Sequence, residues 1–160
     1  MKNALIAFLC SMLASGAYAG APELWKTPIN RAGEFVNAFR MGPFAGLHCG
    51  DLGTPTGAKI NKGCSFFLPG VQSIFLFAFD SDNDNLVDLL ELRCVDAGCE
   101  GSAFRDLSKR LVRYIEGDAS DGALFETLLL RRQVLAPSAT IMALTADTGE
   151  VNAISILKPR

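Results

Sequence analysis

The chain has 160 residues, 49% of them hydrophobic, with 15 Lys and Arg against 17 Asp and Glu and a formal net charge of −2. That apolar share sustains a packed core, and the length fits one domain better than several. With no basic run, the sequence lacks the electrostatic footprint of a nucleic-acid-binding protein.

Met1-Lys2-Asn3 is a short positive segment, Ala4 to Leu13 is apolar, and Ala17-Tyr18-Ala19 has the small-x-small form of a cleavage site. Residues 1–19 therefore read as a signal peptide, with Gly20 as the mature N-terminus and 20–160 as a single exported domain, periplasmic or secreted. Ala7-Phe8-Leu9 lacks the small residues that a lipid-attachment site would place before Cys10. After cleavage no apolar stretch is long enough to span a membrane. Cleavage also removes Cys10 and leaves four cysteines, an even number that favours two disulfides in an exported chain. The spacing does not choose among the three connectivities. Cys49–Cys64 and Cys94–Cys99 are preferred, because each pair closes a short Gly-containing loop. A zinc site using His48 is the rival, and its ligand spacing is poor for a zinc ribbon.

Along the mature chain, Thr27-Pro28 reads as a helix N-cap followed by Pro at the first helical position. Ile29, Ala32, Phe35, Val36 and Phe39 then recur at helical spacing to about Arg40. From Pro43 to Gly63 the residues are mostly turn formers, which predicts a long loop tied by Cys49 and Cys64. Cys64 to Leu68 and Ser73 to Phe79 read as strands, the second apolar on both faces as a central strand would be.

Asp80-Ser81-Asp82-Asn83-Asp84-Asn85-Leu86-Val87-Asp88-Leu89-Leu90-Glu91 follows directly. Carboxylates stand at positions one, three, five, nine and twelve. A calcium ion takes six to eight oxygens at about 2.3–2.6 Å, and this spacing supplies them. The stretch resembles an EF-hand calcium loop. The resemblance covers the loop only and implies the ligands Asp80, Asp82, Asp84, Leu86 through its carbonyl, Asp88 and a bidentate Glu91. Asn85 stands where that family usually has Gly, and Asn tolerates the left-handed backbone required there. An EF-hand also has an entering helix, whereas this entering segment prefers strand. The same spacing is similar to that of strand-flanked FG-GAP and thrombospondin type-3 repeats, which occur as arrays; this chain has one copy.

Leu89 to Val95 fits either two helical turns or a strand. Ser102 caps a predicted helix with Phe104, Leu107, Leu111, Tyr114 and Ile115 on one stripe. Ala123 to Leu135 favours helix, ended by Pro137. Thr140 to Thr145 and Val151 to Leu157 form a predicted hairpin. The fold class expected is α+β: one small domain with a short antiparallel sheet, two or three helices and one calcium loop.

His48 is the only histidine, and no Gly-x-Ser-x-Gly, His-Glu-x-x-His or phosphate-cradling loop is present. The sequence therefore points away from an enzyme and toward an exported calcium-binding protein. Its ion supports stability or an interaction with another envelope or surface protein. A calcium sensor exposes a Met-rich groove, and the mature chain has only Met41 and Met142, which favours a structural ion. The alternative is a small exported hydrolase using His48 and the 43–63 loop.

Overall fold

Ile74, Leu76 and Ala78 alternate with Phe75, Phe77 and Phe79 along one extended segment, and a strand sends these two sets to opposite faces. The computed structural model describes residues 21–34, 45–53, 60–68, 71–95, 102–116, 123–147 and 149–159. Seven strands make one antiparallel sheet: β1 (Ala45–Gly53), β2 (Ile60–Leu68), β3 (Val71–Asp80), β4 (Leu89–Cys94), β5 (Gln133–Leu135), β6 (Thr140–Thr145) and β7 (Val151–Leu157). Their spatial order is β1-β2-β3-β4-β7-β6-β5. Two meanders thus meet where β4 pairs with β7. Between them run the helices α2 (Ser102–Glu116) and α3 (Ala123–Arg131); a short helix α1 (Ala21–Leu24) and a 3-10 turn (Ile29–Arg31) precede the sheet.

The core lies on one face of this sheet. Cys64, Ala78 and Leu90 lie side by side in register, as do Phe66, Leu76, Leu92 and Ile154, and all are buried. Against them pack Phe104, Leu107, Leu111 and Ile115 of α2, together with Phe125 and Leu128 of α3. The predicted stripe of α2 is the buried stripe. Trp25 closes the core near α1 and donates from its indole Nε1 to the Ser138 carbonyl at 2.8 Å. The α+β class holds, with the sheet larger than expected.

Three local expectations change, and one open alternative is decided. The predicted 43–63 loop contains β1 and the start of β2, paired across Cys49↔Cys64, Gly50↔Gly63 and Asp51↔Lys62. Gly and Asp are poor strand formers alone, but pairing with a neighbour outweighs that preference. Thr27 does not cap a helix. Its hydroxyl donates to the Glu23 carbonyl at 2.9 Å and closes α1 instead, while the helical turn begins at Ile29 with Pro28 before it. Described residues of that predicted helix end at Glu34, and 35–40 lie outside them. Leu89 to Cys94 is a strand. The helix predicted to Leu135 stops at Arg131, because Arg132 turns left-handed (φ 64°) and the chain enters β5. Residues 1–19 lie outside the described residues.

The Cys49–Cys64 disulfide is present, and it crosses between the paired strands β1 and β2. Cys94 is also disulfide-bonded. Its expected partner, Cys99, lies outside the described residues.

Candidate metal centre

β3 runs to Asp80 and β4 starts at Leu89, so the acidic loop is the connection of a β-hairpin. Phe79 and Leu89 are the last register pair, and the Asp88 amide donates to the Phe79 carbonyl at 2.9 Å. Asp80 and Asp88 therefore stand opposite each other where the two strands part. Between them the loop folds back on its own side chains. The Asn85 amide donates to Asp80 Oδ2 (3.0 Å), the Asp84 amide to Asp82 Oδ1 (3.2 Å) and the Leu86 amide to Asp84 Oδ1 (2.7 Å). Asn83 and Asn85 adopt left-handed backbone with φ of 67° and 66°. Asn85 thus fills the role that position six requires.

These turns bring Asp80, Asp82 and Asp88 together, with one carboxylate oxygen of each within 4.8 Å of the others. Two oxygens each about 2.4 Å from a shared calcium ion stand at most about 4.8 Å apart, so the group matches the reach of one ion. Asp80 is 1% exposed and Asp88 9%. Each commits one oxygen to the loop: Asp80 Oδ2 accepts from Asn85, and Asp88 Oδ2 accepts from both the amide and the hydroxyl of Ser81. Their other oxygens, Asp80 Oδ1 and Asp88 Oδ1, are buried without a hydrogen-bond partner among the described residues. Burying a carboxylate oxygen unpaired is costly unless a counter-charge meets it. Among the described residues no Lys or Arg forms a salt bridge with Asp80, Asp82 or Asp88. Lys158 Nζ lies 3.7 Å from Asp84 Oδ2, and Lys62 Nζ donates to Asn85 Oδ1 at 3.4 Å, both on the exposed rim.

The other expected ligands lie differently. Asp84 is outside the three-carboxylate group and holds the Leu86 amide. Leu86 forms an antiparallel bridge with Pro28, flanked by Ile29 N to Asn85 O and Val87 N to Thr27 O, both 2.9 Å. Glu91, the expected bidentate ligand, lies outside the three-carboxylate group. In a helix, positions nine and twelve share a face, but in a strand residues three apart point to opposite faces. Asp88 is on the core side with Leu90, whereas Glu91 faces the other way. There its Oε1 lies 2.6 Å from Arg93 Nη2, and its Oε2 accepts from Ser155 Oγ at 3.0 Å.

Ser81, which fixes Asp88, and Thr27 to Ile29, which brace the loop from outside, were not singled out as site residues. The bracing segment lies more than 50 positions away, so no local spacing marks it. His48 is exposed on β1. Across from it, on the face bearing Cys49, a cavity of about 270 Å³ is lined by Ile29, Asn30, Cys49, Gly50, Asp51, Lys62, Gly63 and Cys64. No family model, curated protein or solved structure matches this chain.

Proposed function

We propose that this protein is an exported calcium-binding domain whose ion is structural, tying the β3–β4 hairpin to the N-terminal segment. One observation carries the reading: two buried carboxylate oxygens, Asp80 Oδ1 and Asp88 Oδ1, lack partners among the described residues, and their carboxylates form one group with Asp82. Oxygen-only ligands suit a hard cation, and calcium accepts irregular sets that include water more readily than magnesium does. The proposed protein ligands are Asp80, Asp82 and Asp88. An ion there would neutralise the buried charge and set the loop against Thr27 to Ile29. Export is supported by the leader-like residues 1–19 and by the disulfide bonding of Cys49, Cys64 and Cys94, which fits an oxidising compartment. In this reading the domain serves stability or an interaction with another envelope or surface protein, and His48 needs no catalytic role.

Calorimetric titration tests it. The wild-type protein should take up one calcium ion, with magnesium weaker. Asp80→Asn and Asp88→Asn should each weaken binding by about 100-fold or more, since even residues behind the ligands change metal affinity by 10–100-fold. Glu91→Gln should leave it unchanged. Absence of calcium binding up to about 10 mM, beyond the range of extracellular modules, would show the loop to be an acidic turn only.

A further inference from the structure

We infer that the Cys49–Cys64 disulfide regulates the metal site: the oxidised bridge holds the loop in its cation-binding form, and reduction weakens binding. This rests on the calcium reading above.

A single short segment touches both sites. The Ile29 amide donates to the Asn85 carbonyl at 2.9 Å, and the Asn85 amide in turn donates to the ligand Asp80 at 3.0 Å. The carbonyl oxygen of the same Ile29 lies 3.2 Å from Cys64 Sγ. A bonded sulfur carries no proton, so this is packing contact rather than a hydrogen bond. The sheet provides a second link. Asp51, Lys62 and Asp80 are neighbours across β1, β2 and β3, two residues along from the row of Cys49, Cys64 and Ala78. Lys62 from that row also reaches the loop at Asn85.

Accessibility is divided between the two sulfurs' residues. Cys49 is exposed on the edge strand, whereas Cys64 is buried. A dithiol reductant would attack through its thiolate at Cys49 Sγ, breaking the S–S bond and releasing Cys64 as a thiolate that takes up a proton. The second thiol of the reductant then displaces Cys49, which is protonated in turn. The protein gains two electrons and two protons, and the reductant leaves as its cyclic disulfide. The separated sulfurs must then sit at van der Waals distance. Either Cys64 moves against the Ile29 carbonyl, or the edge strand shifts at the cavity shared by the bridge, Ile29, Asn30 and Lys62. Both routes disturb the segment that braces the loop.

Linkage makes the effect reciprocal: whatever factor reduction costs calcium, calcium returns to the oxidised bridge. The test uses the full mature chain in two arms. Calcium affinity is measured by calorimetry for the wild type and for Cys49→Ser/Cys64→Ser, with Trp25 emission confirming the fold. Separately, the wild type is equilibrated in dithiol buffers of graded potential, with and without calcium, and the Cys49 and Cys64 thiols are alkylated and mapped by mass. The expected result is affinity about fivefold or more weaker in the variant, with saturating calcium raising the oxidised-to-reduced ratio at fixed buffer potential by a matching factor. The alkylation arm decides the matter if the variant does not fold. Equal affinities, or a redox midpoint unmoved by calcium, would overturn the coupling and leave the calcium reading standing. No binding by the oxidised wild type would overturn both.

Discussion

Asp80 and Asp88 carry a cost that the rest of the loop does not. Each has a buried carboxylate oxygen with no partner among the described residues and another acid beside it, so without a counter-charge the fold is held against their repulsion and desolvation. Asp80→Asn should therefore raise the melting temperature in chelator while abolishing the calcium-induced rise. A thermal melt of each form with and without calcium checks both halves. Glu91 predicts the opposite pattern. Its carboxylate joins Arg93 and Ser155 on the other face of the sheet. Glu91→Gln should cost about 1–3 kcal/mol of stability by leaving the guanidinium side of that pair unsatisfied, with calcium affinity preserved. Denaturant unfolding alongside a calcium titration separates the two roles.

At the scale of elements, the hairpin loop depends on two left-handed residues. Asn85→Gly should bind calcium as the wild type does, whereas Asn85→Ala should lose about 1–2 kcal/mol from the strain of a side chain at positive φ; urea unfolding of the two variants measures the difference. The loop was legible because ligand spacing is local, and Asn85 in position six announced its own backbone. The flanks were not. Leu89 to Val95 fits a strand or a helical turn equally well, and pairing with β3 and β7 decides for strand. That decision, made by residues such as Ser155 far along the chain, is what turns Glu91 away from the three-carboxylate group. The α2 stripe and the β6–β7 hairpin were legible because each is set by its own periodicity or turn. β1 was hidden by its glycines, whose strand state is imposed by β2 and the bridge.

For the whole molecule, calcium at about 100 times its dissociation constant should add roughly 2.7 kcal/mol. That amounts to a rise on the order of 10 °C in melting temperature for a domain of this size, measurable by calorimetric scanning. The Cys49–Cys64 bridge, spanning 15 positions, should add stability by restricting the unfolded chain. Cys49→Ala/Cys64→Ala should lose about 3 kcal/mol in denaturant unfolding at saturating calcium. A single core cluster joins sheet and helices, so the oxidised protein should unfold in one transition by fluorescence and circular dichroism alike.

The junction of the two meanders sets an order of events as well as a shape. All three proposed ligands, and the Thr27 to Ile29 brace, precede β4, whereas the β4–β7 seam joins residues such as Glu91 and Ser155, 64 positions apart. Closing so long a separation is slow, because chain entropy is lost before contacts repay it. Every proposed ligand thus precedes the last strand in the chain by more than 60 positions. An ion captured before that strand pairs would hold the β3–β4 hairpin closed, presenting β4 as a ready template for β7. Calcium would then speed folding as well as slow unfolding.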